Sequence, residues 1–252
     1  MTDALVDYSA DRGIARIALN SPRNRNALSA ALMTQLEEGL TAAAADDAVR
    51  AVELTHTGST FCAGADLAEA REGGMAQGTA RLMGLLRQII ALPKPVVASI
   101  DGHVRAGGLG LVGACDIALA GPASTFAFSE VRLGLAPAII SLTTLPRLSP
   151  RAAARYYLTG EKFGAPAAAA MGLITEAVAD IDAGTLAVLD ELRTASPQGL
   201  AETKPLLTAG LLARFDADGE ALAAQSARLF GSAEAAEGMA AFLAKRPPSW
   251  AV

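Results

Sequence analysis

Cysteine, histidine and aromatic side chains are scarce in this chain: two Cys, two His, one Trp, three Tyr and seven Phe among 252 residues. Two cysteines, Cys62 and Cys115, are too few for a disulfide framework, which fits a reducing, cytoplasmic location. Two histidines, His56 and His103, without HExxH or an acid pair nearby give no metal site. An aromatic content of 4% leaves no platform on which nucleic-acid bases would stack. Runs of one charge are missing too. The 21 basic and 26 acidic residues give a formal charge of −5, and no nucleic-acid partner is expected. The longest tempting apolar stretch, Leu133 to Leu145, is interrupted by Pro137 and is too short to span a bilayer, so no membrane partner is expected either. The N-terminal MTDALVDYSADRG carries acids and no apolar core of a signal peptide. GxSxG and GxxxxGK[ST] are both absent, which leaves a serine-hydrolase elbow and a P-loop without support.

What is present is apolar mass, 52% of residues, enough for one large core or a core with an appendage. Apolar periodicity organises it. Gly13 to Asn20 alternates like a strand, and Ser29 is placed to cap a helix through Leu32, Leu36 and Leu40. AVELTH (51–56), PVVASI (95–100) and CDIALA (115–120) read as further strands, with a helix at 81–92 and a short one at 107–114. PVVASI is apolar throughout, as a buried parallel strand is. STFAFSE, Ser124 to Glu130, is expected to be extended, and 71–78 to be a mobile glycine-rich segment. After Ser141 the chain reads as helical, with Gly160 as a C-cap. Ala195 to Leu200, with Pro197, marks the expected boundary between a core over 1–195 and helices over 196–252. Those helices run through ETKPLLTAGLL, GEALAAQSARLF and SAEAAEGMAAFLAKR.

Two glycine-bearing loops follow strands. FCAGADL spans Phe61 to Leu67, and DGHVRAGGLG spans Asp101 to Gly110. Small residues allow close approach to bare backbone, and main-chain N–H groups near a helix start suit developing negative charge. Two such loops can aim one amide each at a single oxygen, as an oxyanion reaction requires. GLGLVG (108–113) also matches the dinucleotide fingerprint GxGxxG. The fingerprint wants its first glycine at the strand end, and here 101–107 intervene.

These segments, in this order, resemble the crotonase family, the enoyl-CoA hydratase/isomerase superfamily. NRNALS, FCAGADL, DGHVRAGGLGLVGACDIALA, STFAFSEVRLGLAP and FLAKRPPSW carry the likeness over essentially the whole chain. The resemblance implies an α/β fold, a spiral of ββα units with a C-terminal helical region that drives assembly as a homotrimer or a dimer of trimers. It implies an acyl-CoA thioester as substrate and no cofactor, coenzyme A being part of the substrate. By residue, it implies oxyanion donors at the Ala63 and Gly107 amides and an acid/base at Glu130. Arg25, Ala27, Ala63, Gly64, Ala65, Asp66 and Leu67 would line the CoA site, with Lys245 near CoA phosphates. Arg105 stands two residues before Gly107, where a guanidinium would hold a second carboxylate on the acyl group.

The chain departs from the family at one position. Hydratases hold water between two glutamates; one matches Glu130, and the other position is Gly110, which has no side chain. SEVRLGLAPAIIS is similar to methylglutaconyl-CoA hydratases, some of which also carry glycine there. The first expectation is therefore a lyase that adds water to an α,β-unsaturated acyl-CoA. An isomerase using Glu130 alone is the alternative, and a non-catalytic acyl-CoA-binding protein is the third. For the remaining polar residues, structural roles are expected: Cys62 and Cys115 in the core, His56 packed, His103 bracing its loop, and Asp66 capping a helix that starts at Leu67.

Overall fold

The computed structural model describes residues 4–66, 69 and 75–252, with main chain only at 75 and 76. Strands alternate between two sheets. The larger holds β1 (Val6–Asp11), β2 (Ile14–Leu19), β3 (Ala51–His56), β5 (Val96–Ile100), β7 (Ile117–Ala120) and β10 (Glu176–Ala177), neighbours in that order. The smaller holds β4 (Thr60–Cys62), β6 (His103–Arg105), β8 (Thr125–Ala127) and β9 (Phe163–Gly164). From β3 onward, β3, β5 and β7 of the first sheet each hand the chain to a short strand of the second, β4, β6 and β8, and a helix brings it back. Apart from the antiparallel β1 and β9, all pairings are parallel. This is the ββα spiral expected from the resemblance.

Among the described residues the helices are α1 (Ala30–Ala45), α2 (Met75–Ala91), α3 (Gly107–Ala114), α4 (Ser141–Thr144), α5 (Pro150–Thr159), α6 (Ala165–Ala170), α7 (Ile181–Thr194), α8 (Pro197–Phe230) and α9 (Ala233–Leu243). Ser29 caps α1 by accepting the Leu32 N–H at 3.2 Å. One face of α1 then buries Leu32, Met33, Leu36 and Leu40, each worth roughly 2 kcal/mol of transfer free energy. These pack with Ile17, Leu54, Ala98 and Ile100 from the larger sheet in the main core. The other sheet face carries Ile14, Ala51 and Val97, covered by Leu189 of α7.

Several expectations change. β1 was not foreseen, although VDYSAD alternates apolar and polar residues; it is an edge strand whose residues are mostly exposed. Of the segment 71–78, residues 71–74 lie outside the described residues, and 75–78 form the first turn of α2. Glu130 does not lie on an extended piece: β8 ends at Ala127, and Ser129–Leu133 is a 3-10 turn closed by Gly134 at φ 72°. ETKPLLTAGLL and GEALAAQSARLF are one helix, α8, with Pro205 inside it. Pro205 lies on the exposed side, whereas Lys204, Thr208, Leu211 and Phe215 are buried, so the apolar stripe carries the helix past one missing N–H. Among the described residues no helix is long and apolar enough to cross a membrane.

Lys204 anchors α8. Its Nζ donates to Asp116 Oδ2 at 2.7 Å, to the Ile89 carbonyl at 2.8 Å and to the Lys94 carbonyl at 3.0 Å, with 4% of the side chain exposed. Asp116 also accepts the Val96 N–H at 2.8 Å, which fixes the start of β5. Removing one partner leaves a buried charge uncompensated. Lys204→Ala is expected to cost about 3 kcal/mol in urea unfolding; a loss below about 1 kcal/mol would show that Asp116 finds water instead.

Candidate active site

Three adjacent parallel strands of the smaller sheet point their carboxyl ends the same way. Cys62 pairs with Val104, and Arg105 pairs with Ala127. The residues just beyond β4, β6 and β8 therefore leave the sheet along one edge. They are Ala63–Asp66, Gly107 and Glu130. Ligands of α/β sheets gather outside such carboxyl ends, and two strand spacings span only about 10 Å.

The first two loops touch. Gly64 has φ 91°, and a Cβ built on it would lie 2.8 Å from Ala106 Cβ and 3.3 Å from the Gly107 nitrogen. A Cβ on Gly107 would lie 2.8 Å from Leu28 Cδ1 and 3.7 Å from Gly64 Cα. The approach requires glycine at position 64, whereas at position 107 the short contact is with the end of the Leu28 side chain. Ala106 has φ 46° and ψ −118°, a strained conformation for a residue with a side chain, held where β6 turns into α3. Gly108 and Gly113 are buried within α3 against Cys62 and Thr143, so the GLGLVG glycines serve helix packing.

The amide expected as first donor is already engaged. The Ala63 N–H donates to the Arg25 carbonyl at 3.1 Å. One residue on, Gly64 bends the chain: its carbonyl accepts the Leu28 N–H at 2.8 Å, and Ala65 bridges Leu28. Among the described residues neither the Ala65 N–H nor the Gly107 N–H has an acceptor. Gly107 opens α3, where the first amides have no intrahelical partner. The free pair beside the Gly64–Gly107 contact is therefore Ala65 and Gly107.

Glu130 is buried, at 8% exposure, and its Oε2 has no hydrogen-bond partner. The Arg132 side chain turns away, its Nε donating to the Thr159 carbonyl at 3.0 Å. Burial pushes the Glu130 carboxyl up to about 7, against a smaller opposing effect of its own backbone. Around Gly110 there is no room for a second carboxylate. A Cβ there would lie 2.7 Å from Ile140 Cγ2 and 3.2 Å from Leu86 Cδ1. Ile140 and Leu86 are buried, and Thr143 Oγ1 ties this turn to α3 by donating to the Gly110 carbonyl at 3.0 Å.

The other expected residues scatter. Ala27 is buried at the base of the first loop, whereas Arg25 is exposed and left-handed at φ 52°. Asp66 Oδ1 accepts the Glu69 N–H at 3.4 Å and its Oδ2 accepts from Asn24 Nδ2 at 2.9 Å; Leu67 lies outside the described residues. The Arg105 guanidinium is spent within the sheet, donating to the Val104 carbonyl at 2.8 Å, the Thr125 carbonyl at 2.6 Å and Thr125 Oγ1 at 2.9 Å. Lys245 stands exposed in the turn after α9 at φ 53°. His103 Nδ1 meets Thr125 Oγ1 at 2.9 Å, bracing β6 against β8. His56 Nε2 accepts the Asp101 N–H at 3.1 Å. Burial pushes the Cys62 and Cys115 thiols up to about 12, which leaves them unreactive. Sequence reasoning missed the part played by Ile140 and Leu86 beside Gly110, because one reads only as part of SEVRLGLAPAIIS and the other only as core of the helix at 81–92.

Because the folded state holds the Glu130 proton more tightly than the unfolded chain, stability falls as pH rises from about 4.5 towards about 7. Glu130→Gln removes that dependence. Its stability relative to the wild type is expected to improve by up to about 3 kcal/mol between pH 4 and pH 8, measured by urea unfolding. Parallel pH profiles would mean that the carboxyl is solvated.

Comparison with known proteins gives the family and the fold. The family model described as Enoyl-CoA hydratase/isomerase matches residues 9–252. A Bos taurus protein, enoyl-CoA hydratase domain-containing protein 2, mitochondrial, is 34% identical over 251 residues, covering 94% of this chain and 84% of its own. A solved enoyl-CoA hydratase from Mycobacterium avium is 57% identical, with a TM-score of 0.93 over 99% of this chain and 100% of its own. A carnitinyl-CoA hydratase from Mycobacterium avium is 26% identical with a TM-score of 0.87, over 99% of both chains. The chain belongs to the enoyl-CoA hydratase/isomerase family, the crotonase superfamily.

Proposed function

We propose that this chain moves a double bond in an acyl-CoA thioester, with Glu130 as its single acid/base. The observation that carries the reading is the buried Glu130 carboxyl with an unpartnered oxygen, on the strand-end edge that also bears two free amides. The thioester carbonyl oxygen accepts hydrogen bonds from the Ala65 and Gly107 N–H groups, Ala65 replacing Ala63 as first donor. Glu130 removes a proton from C2 of a 3-enoyl thioester. The electrons pass into a dienolate whose oxygen charge rests on the two amides, each such donor being worth roughly 3 kcal/mol of barrier. The protonated Glu130 returns the proton at C4, leaving a 2-enoyl thioester. Its raised pKa suits both halves of this cycle near neutral pH.

Hydration is the second reading, favoured by the names of the relatives. It needs a water held opposite Glu130, and the side chains of Ile140 and Leu86 fill the space beside Gly110. Water addition would then rest on one carboxylate alone. The CoA portion is assigned to Arg25, Ala27, Asp66 and the neighbouring loop, with Lys245 reaching its phosphates within the chain or from a second copy.

Incubation with a 3-enoyl-CoA deuterated at C2, with crotonyl-CoA and with 3-methylglutaconyl-CoA tests this by product mass. The expected outcome is a 2-enoyl product without added water and with part of the label at C4. Glu130→Gln is expected to lose about 100- to 10,000-fold in turnover while still binding CoA thioesters. A gain of one water would favour hydration, and retained binding without turnover on any substrate would favour a non-catalytic role.

Residues 196–252 leave Leu206 at 81%, Leu207 at 72% and Phe242 at 56% exposure. We extend the proposal to assembly through this region as a homotrimer or dimer of trimers in the cytoplasm. Light scattering is expected to give at least three times the 25.6 kDa chain mass; a stable monomer at micromolar concentration contradicts it.

A further inference from the structure

Asn26 is fully buried, and its carboxamide is bonded at both ends. Its Oδ1 accepts the Ser21 N–H at 2.7 Å. Its Nδ2 donates to the Thr60 carbonyl at 2.7 Å and to the Thr57 carbonyl at 3.2 Å. Only this orientation of the carboxamide suits one donor and two acceptors. The backbone of Asn26 is left-handed at φ 52°, a conformation that asparagine tolerates better than most residues, and its N–H donates to the Ser21 carbonyl at 2.9 Å. The side chain therefore clamps the segment 21–28 onto the turn between β3 and β4.

That segment backs the first glycine-bearing loop. The Arg25 carbonyl accepts the Ala63 N–H at 3.1 Å, the Leu28 N–H donates to the Gly64 carbonyl at 2.8 Å, and Asn24 Nδ2 donates to Asp66 Oδ2 at 2.9 Å. The Leu28 bond decides where the next amide points. The Gly64 C=O and the Ala65 N–H belong to one planar trans peptide and point in opposite directions. With the carbonyl fixed on Leu28, the Ala65 N–H faces away from the backing segment and has no acceptor among the described residues. Leu28 meets the second loop as well, since a Cβ on Gly107 would lie 2.8 Å from its Cδ1.

We propose that Asn26 is a positioning residue for the Ala65 amide: by clamping the segment 21–28 it holds Leu28 on the Gly64 carbonyl, and so aims the Ala65 N–H at the thioester carbonyl oxygen. The inference rests on the oxyanion role proposed for Ala65 and Gly107. Beyond Leu28 the segment is anchored by α1, where Ser29 accepts the Leu32 N–H and Glu69 accepts the Ala30 N–H at 2.9 Å. Before Leu28 the buried anchor is Asn26.

The test reads the carbonyl itself. The probe is butyryl-CoA, a saturated thioester with no double bond to move, isotopically labelled at its thioester carbonyl carbon. Isotope-edited infrared spectra of the bound probe report the hydrogen bonds on that oxygen. Asn26→Gly keeps a left-handed backbone without steric cost and removes the carboxamide. Asn26→Asp keeps the size and the acceptor for Ser21, but when ionised has no hydrogen for Thr57 and Thr60. In the wild type the C=O stretch is expected below that of free butyryl-CoA in water. In both variants it is expected to return at least halfway to the free value, while binding of the probe changes little. Their kcat on a 3-enoyl-CoA is expected to fall about 10- to 100-fold, part of the roughly 100- to 1,000-fold that losing a whole donor costs. Lys204→Ala, which loosens the fold away from this segment, is expected to leave the band at its wild-type position. A wild-type band in folded Asn26→Gly, or an equal displacement in Lys204→Ala, overturns the inference. If Asn26→Gly does not fold, Asn26→Asp decides it on the same criterion. A wild-type band at the free value removes the oxyanion site and the inference together. Displaced variant bands in a protein that isomerises no thioester would leave the positioning role standing and sink the proposed reaction instead.

Discussion

The contact between Gly64 and Gly107 is the constraint on which the site depends. It brings the end of β4 against the start of α3 closely enough that a methyl group on Gly64 would lie 2.8 Å from Ala106 Cβ and 3.3 Å from the Gly107 nitrogen. On those two loops the Ala65 and Gly107 amides have no acceptor among the described residues. Donors left unbonded at a fold's expense are poised for a ligand oxygen, and they need no rearrangement when charge develops there. The strain at Ala106 fits the same picture, since backbone held in an unfavourable conformation persists only where the surroundings over-determine it.

Glu130, just beyond β8 at the strand-end edge, is desolvated. Ile140 and Leu86 take the volume in which a second carboxylate would stand. A low-dielectric setting strengthens the amides' grip on an oxyanion and raises the carboxyl towards neutrality. Both effects favour moving a proton between carbons over managing a water. The cost appears as lost stability at high pH, as expected of a site whose chemistry requires a buried charge.

The sequence showed the parts of this arrangement that are local. Ser29, Leu32, Leu36 and Leu40 announced α1, and Gly160 its role as a helix end. FCAGADL and DGHVRAGGLG announced the loops, and the order of the motifs announced the spiral. What depends on phase or on distant packing was hidden. Which amide of FCAGADL is free depends on where β4 ends and on the Arg25 carbonyl, far back in the chain. Gly110 read as a vacancy, and only the fold shows Ile140 filling it. β6 is too short to signal itself, and the turn at Ser129–Leu133 hides within an apolar run that reads as a strand. The break expected between ETKPLLTAGLL and GEALAAQSARLF does not occur because Phe215, between them, continues the buried stripe of α8.

The most direct test of the central claim is a crystal structure of the protein with a non-reactive acyl-CoA thioester analogue. The account predicts the carbonyl oxygen within hydrogen-bond distance of the Ala65 and Gly107 nitrogens, with Ala63 still bonded to Arg25 and the Glu130 carboxyl beside C2 and C4 of the acyl chain. A carbonyl oxygen bound elsewhere, or an ordered water between Glu130 and the acyl chain at the Gly110 position, would contradict it.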